Sequence, residues 1–66
     1  MIFDVAVGVA LQRPPRIDEF RHVRIESDNI TEAELTALQI AAATSVMPLW
    51  VGFADDVPHL PEEWMR

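Results

Sequence analysis

Large apolar residues alternate with mostly small ones over the first eleven residues of the chain, a period of two that is the pattern of a β-strand. Large apolar side chains fall on one face of this strand, and mostly small side chains fall on the other. A strand that is apolar on both faces is usually covered on both sides of its sheet. We therefore predict a central strand over residues 1–11. Its large-residue face is formed by Phe3, Val5, Val7, Val9 and Leu11.

The next stretch, residues 12–18, is predicted to be a long loop. Its two adjacent prolines cannot donate ladder hydrogen bonds, and they bias the preceding residue towards extended backbone. Arg13 and Arg16 are expected to project from this proline-stiffened loop. There they would either meet a carboxylate or phosphate or remain solvated, and both alternatives stay open.

Two later stretches also alternate like strands. Over residues 19–27, Val23 and Ile25 are expected to face the core, with His22, Arg24 and Glu26 outside. Over residues 48–54, Trp50 is expected to lie on the sheet face that points away from the helix.

Helix signals at both ends occur only in residues 28–47. Thr31 and Glu34 have the spacing of a capping box, in which the two side chains satisfy free backbone N–H groups. Pro48 cannot continue a helix. We predict a helix that is capped at Thr31 and ends one or two residues before Pro48.

Apolar side chains form two stripes around this helix. One stripe is predicted to pack on the sheet and comprises Leu35, Leu38, Ala42 and Val46. The second stripe is predicted to contact another helix, from a second copy or from a different protein. The alternative is an alanine-rich helix with one exposed isoleucine. The second stripe comprises Ala33, Ala37, Ile40 and Thr44.

The element order strand, strand, helix, strand predicts an α+β fold of ββαβ type. A right-handed crossover places the first strand in the middle of a three-stranded sheet with order 2-1-3, and one helix covers one face. We assign residues 1–56 to this single domain and residues 57–66 to an irregular, proline-containing tail, in which Pro61 could open one helical turn. Leu60 and Trp64 of the tail either cover the second face of the sheet or anchor a partner.

Composition adds a reason to expect a partner. A chain of 66 residues buries only about 60% of its unfolded surface and is marginally stable alone, and without cysteine it cannot use disulfides. The net charge of −6 disfavours nucleic acid and anionic membranes. All five basic residues are arginines, and four of them fall within residues 13–24. The longest apolar run is far shorter than the roughly 20 residues of a membrane span, so a cytoplasmic protein is expected.

No catalytic, cofactor or metal motif is found in the sequence. With only two glycines there is no phosphate-binding loop. We predict no enzymatic activity, no catalytic residues, no cofactor, no metal and no small-molecule substrate. Two groupings of common residues do not predict a site: Ser27, His22 and Asp28 do not indicate a triad, and Asp55, Asp56 and His59 do not indicate a cation site.

The helix sequence EAELTALQIAA, preceded by an acidic turn and followed by Met-Pro, resembles small proteins encoded by phages of actinobacteria. Those proteins carry a strand, an acidic turn and a helix of the type EAELxALQxAA. The resemblance implies a phage origin, hence the host cytoplasm, and it implies no activity. The matching residues are Glu32, Ala33, Glu34, Leu35, Ala37, Leu38, Gln39, Ile40, Ala41, Ala42, Met47 and Pro48.

We therefore expect a small acidic interaction module that binds a host or phage protein and is able to self-associate. One alternative is an acidic DNA mimic that inhibits a nucleic-acid-binding protein. Another is a structural component of a larger assembly such as a virion. Nucleic-acid binding by the arginine-rich hairpin is disfavoured by the net charge. The candidate partner-binding residues are Ala33, Ala37, Ile40, Trp50, Leu60, Trp64, Arg13 and Arg16.

Overall fold

Three antiparallel strands form one sheet in the computed structural model, which describes residues 1–44 and 46–66. Strand β1 spans Ile2–Ala10, β2 spans Glu19–Glu26 and β3 spans Met47–Phe53, and helix α1 spans Ile30–Ala42. The order is β2-β1-β3, and β1 pairs antiparallel with both neighbours. The predicted α+β class, the strand order and the central position of the first strand are confirmed.

One face of the sheet packs against α1. Val5, Val7 and Val9 of β1 are fully buried there, as the alternation of large side chains predicts. Ile25 of β2 is buried in the same cluster, and Val23 packs against this cluster. This layer is the main core, and the predicted inward face of β2 is confirmed.

The helix meets this layer with its smallest side chains. Ala33, Ala37 and Ala41 are the buried residues of α1. The predicted assignment of the two stripes is therefore wrong: Ala33 and Ala37 face the sheet, whereas Leu35 is 56% exposed. The stacked valines already fill the space between helix and sheet, so methyl groups fit below the helix axis and larger apolar side chains pack at the margins. Those marginal residues include Ile30, Leu38 and Val46.

The second face of the sheet is covered by the protein's own loop and aromatic side chains. Ile17, from the loop between β1 and β2, is buried over Gly8, where an added Cβ would lie 2.9 Å from the Ile17 Cδ1 atom. The Trp50 indole lies over Gly52, and its ring meets Phe20 edge-on with centroids 6.2 Å apart. The two glycines thus leave room for the large side chains that seal this face.

Both ends of α1 differ from the prediction. Asn29, not Thr31, is the N-cap, and its side-chain oxygen accepts from the Glu32 backbone N–H at 2.9 Å. The helix ends at Ala42, earlier than the proline requires. There the Thr44 hydroxyl donates to the Ala41 carbonyl at 2.7 Å and accepts from Arg21 at 2.8 Å, which satisfies a free carbonyl of the last turn.

The chain after β3 folds back towards the loop between β1 and β2. A 3₁₀ helix spans Ala54–His59, where no regular element is predicted, and a second spans Glu62–Trp64 directly after Pro61, where a helical turn is predicted. Met65 then forms a parallel bridge with Ile17. Within residues 1–44 and 46–66, no helix has the length and apolar character needed to cross a membrane.

The fit of Ile17 over Gly8 predicts a non-additive double mutant. Gly8→Val should destabilise the fold by about 1–3 kcal/mol, because the new methyl groups overlap Ile17. Ile17→Ala should cost about 2–5 kcal/mol through the cavity it leaves. In Gly8→Val/Ile17→Ala the valine fills that cavity, so urea denaturation should show a total at least about 1 kcal/mol smaller than the sum. An additive result would contradict the packing described here.

The cap at Asn29 predicts a difference between two neighbouring substitutions. Asn29→Ala should lower the free energy of unfolding by about 1 kcal/mol, because the Glu32 N–H loses its acceptor. Thr31→Ala should change it by less than about 0.5 kcal/mol. Thermal and urea unfolding of both variants measures the difference, and the reverse order would restore Thr31 as the cap.

Candidate protein-binding site

Four large apolar side chains lie exposed at the end of the molecule that carries the loop between β1 and β2. Leu49 and Trp64 line one groove, and Leu11 and Met47 line a hollow beside it. They are 42–55% exposed. Met47 pairs with Ala10, the residue before Leu11, so strand pairing holds the two hollows next to each other. We call Leu11, Met47, Leu49 and Trp64 the loop-end patch.

The Trp64 groove has a volume of about 380 Å³. The loop forms one wall and the tail forms another, while Leu49 reaches in from β3. Leu49 does so because the register between β1 and β3 shifts: Val9 pairs with Pro48 and Gly8 with Trp50, which leaves Leu49 without a partner on β1. The groove is lined by Pro14, Pro15, Arg16, Ile17, Leu49, Glu63 and Trp64.

Main-chain hydrogen bonds fix the position of Trp64. The Ile17 N–H donates to the Trp64 carbonyl at 2.8 Å, and the Arg66 N–H donates to the Ile17 carbonyl at 3.0 Å. Ile17 is itself buried against the sheet. The indole is therefore displayed from a backbone that is tied to the core, although the side chain stays 44% exposed.

The Asp18 carboxylate joins Leu11, the first residue after β1, to the end of the tail. Its Oδ2 atom accepts from the Leu11 N–H at 2.7 Å, and its Oδ1 atom accepts from the Arg66 guanidinium. The Leu11 hydrogen bond is the main cause that lowers the pKa of Asp18; partial burial opposes it, and Arg66 and Gln12 lower it further. Arg66 also donates to the Gln12 and Pro14 carbonyls, so the same side chain holds the loop.

Three of the five arginines form ion pairs within the protein. Arg21 pairs with Glu19 at 3.2 Å, Arg24 pairs with Asp4 at 3.0 Å, and Arg66 pairs with Asp18. In the part of the chain that the structure describes, Arg13 and Arg16 have no carboxylate within ion-pair distance. Both line the hollows of the loop-end patch. The basic character predicted for residues 13–24 is thus concentrated at this end.

The structure brings together some of the sequence-predicted site residues and separates others. Arg16 and Trp64 share the groove, and Arg13 lies in the neighbouring hollow. Ala33 and Ala37 are 0% exposed, so they are not on the surface as predicted. The remaining three lie apart from the patch: Ile40 is exposed on α1, Trp50 is half-buried beside Phe20, and Leu60 is half-buried in the tail.

The sequence prediction omitted Leu11, Met47 and Leu49, and also the two prolines as groove walls. One signal was available for Leu49, because a proline at the start of a strand is typical of an edge or a bulge. The contact between loop and tail joins residues nearly fifty positions apart and has no local signal. Among the described residues, no group of three His, Asp or Glu side chains is arranged to hold a metal ion. No protein-family model, curated protein or solved structure matches the chain.

The Asp18 carboxylate predicts that the tail detaches in acid. Because its folded pKa is lowered, ionised Asp18 stabilises the docked tail fully above the ordinary aspartate pKa of about 3.9, and this contribution is lost as the pH falls through the lowered pKa. Hydrogen-exchange protection of the Ile17 and Arg66 amides should therefore decrease below about pH 4. Asp18→Asn should weaken that protection at neutral pH and remove its acid dependence.

The matched control is Asp4→Asn, which removes the exposed ion pair with Arg24 at the other end of β1. It should leave the protection of both tail amides unchanged. Equal effects of the two substitutions would show that Asp18 does not hold the tail.

Proposed function

We propose that this protein is a small, acidic, non-enzymatic interaction module, encoded by a phage and active in the host cytoplasm, that binds another protein through the loop-end patch. The observation that carries the proposal is Trp64, a large exposed side chain on a backbone fixed by hydrogen bonds to Ile17. The phage origin rests on the resemblance of the helix sequence, and the cellular location follows from that origin.

Tryptophan in this setting has the properties of an interface anchor. Residues that contribute most to protein binding are enriched in tryptophan, tyrosine and arginine, and they lie among apolar neighbours that exclude water. Trp64 has Leu49 and the two loop prolines as such neighbours, and Arg16 lies in the same groove. A residue whose backbone is fixed before binding also loses less conformational entropy on binding, which favours affinity.

The residues that line the groove support binding to a protein rather than catalysis. The groove is lined mostly by apolar side chains, namely the two prolines, Ile17, Leu49 and Trp64. Arg16 and Glu63, the charged residues in it, are connected to each other by a hydrogen bond from the Arg16 guanidinium to the Glu63 carbonyl. Such a surface offers apolar contact and orientation to a partner segment.

The test compares Trp64→Ala with Phe53→Ala, because both side chains are 44% exposed and only Trp64 lies in the patch. Partners are captured from a host lysate with the wild-type protein and identified, and their affinity for each variant is then measured. Trp64→Ala should weaken binding by at least about 2 kcal/mol, or about thirtyfold, whereas Phe53→Ala should have little effect. Leu49→Ser provides a second test of the groove from a different element.

Light scattering of the purified protein runs beside this comparison, so that binding to a partner is separated from self-association. Unfolding curves confirm that each variant is folded. A partner whose affinity is equally insensitive to Trp64→Ala and Leu49→Ser would contradict the proposed surface. The absence of any captured partner, together with a monomeric protein, would contradict the proposed function.

A further inference from the structure

We infer that the segment bound by the loop-end patch is an extended peptide with one large apolar residue and with carboxylates on one side of it. The apolar residue occupies the Trp64 groove, and the carboxylates meet Arg16 and Arg13. This inference rests on the proposed function, because it specifies the chemistry of the partner at the same surface.

The patch carries positive charge that no carboxylate among the described residues neutralises. Arg21, Arg24 and Arg66 are neutralised by carboxylates of the protein itself. Within residues 1–44 and 46–66, Arg13 and Arg16 have no such carboxylate, and both line the patch. On a chain with net charge −6, two cations next to exposed apolar side chains select a ligand that supplies the missing carboxylates.

Arg16 is already held in position before a ligand binds. One of its terminal nitrogens donates to the Glu63 main-chain carbonyl, which is a neutral acceptor. A guanidinium has five N–H donors, so the others remain available, and its planar shape suits two parallel hydrogen bonds to a carboxylate. Because the side chain is fixed by the tail, a ligand would bind it with a smaller entropic cost.

The charged residues around the groove determine the direction in which the peptide lies. Glu63 lines the Trp64 groove, so carboxylates of the ligand are disfavoured next to the Glu63 side chain and favoured next to Arg16. Arg13 lies beyond the groove, in the hollow of about 170 Å³ that contains Leu11 and Met47. A ligand that places its apolar residue beside Trp64 therefore carries its acidic residues towards Arg13, and its charge is one-sided.

The acidity of the rest of the protein does not prevent this binding. Glu26, Asp28 and Glu32 line a surface hollow next to Met1, at the start of β1, whereas the patch lies past its end. Nine residues of strand separate the two ends by about 30 Å. The Debye length at physiological ionic strength is about 8 Å, so these distant carboxylates are largely screened from a peptide docked at the patch.

The size of the groove suits a large apolar side chain. Its volume of about 380 Å³ is at the lower end of the range of roughly 300–1,000 Å³ for ligand sites. Leu49 of β3 and Trp64 of the tail both line it. A leucine, methionine or aromatic side chain fits this space, and the flanking residues of the ligand lie along the patch in extended conformation.

The experiment is a selection from a random peptide library displayed on phage, with the wild-type protein as the target. Selected peptides should share one large apolar residue with aspartate or glutamate enriched on one side only. The same selection on Arg13→Gln/Arg16→Gln should keep the apolar residue and lose the acidic enrichment. Selection on Arg24→Gln, an arginine outside the patch, should reproduce the wild-type result.

Affinities of a selected peptide then give the quantitative test. Arg13→Gln/Arg16→Gln should weaken binding by about tenfold, the effect of losing two partly exposed ion pairs, and should reduce its salt dependence. Arg24→Gln should change it less than about twofold. Replacing the acidic residues of the peptide by asparagine and glutamine should weaken binding to the wild-type protein by a similar factor and have little effect on the double variant.

The outcomes separate this inference from the proposed function. Peptides or captured partners that need Trp64 but bind Arg13→Gln/Arg16→Gln as well as the wild type would overturn the acidic specificity and leave the interaction module intact. Selected peptides that are neutral or basic would overturn it as well. Failure of every peptide to bind, when captured partners also ignore Trp64→Ala and Leu49→Ser, would overturn both.

Discussion

A three-stranded sheet has two faces, and this chain has one helix with which to cover them. That constraint accounts for most of the structure. The helix covers one face closely, because its alanines allow the backbone to approach the valines of β1. The other face is covered by Ile17, Phe20 and Trp50, which need the space left by Gly8 and Gly52. The loop between β1 and β2 is thus part of the core, through Ile17, rather than an appendage to it.

The two layers are built on opposite choices of side-chain size. Beneath α1 the strand supplies the bulk and the helix supplies the small residues. On the second face the strands supply glycine and alanine, and the loop and edge strands supply the bulk. Interiors are packed to nearly uniform density, so either choice fills space if the partners are complementary. The result is that residues 5–10 of β1 are buried on both sides in a chain of 66 residues.

The fold class and strand order were predictable from the sequence because they depend on local alternation and on the handedness of one crossover. The helix face was not, because the prediction assigned the large residues to the core, whereas the valines of β1 leave room only for Ala33, Ala37 and Ala41. For the site, Trp64, Arg13 and Arg16 were identifiable as unusual residues. Their grouping with Leu49 was not, since it depends on a bulge in β3 and on a loop–tail pairing between distant parts of the chain.

The dual role of Ile17 has a further consequence. Its side chain plugs the second face of the sheet, while its backbone carries the tail that displays Trp64. Any ligand in the groove therefore binds only the folded arrangement, and it stabilises the whole domain by RT ln(1 + [L]/Kd). Occupancy of the groove can therefore be measured as a rise in the melting temperature of the domain, without labelling either molecule.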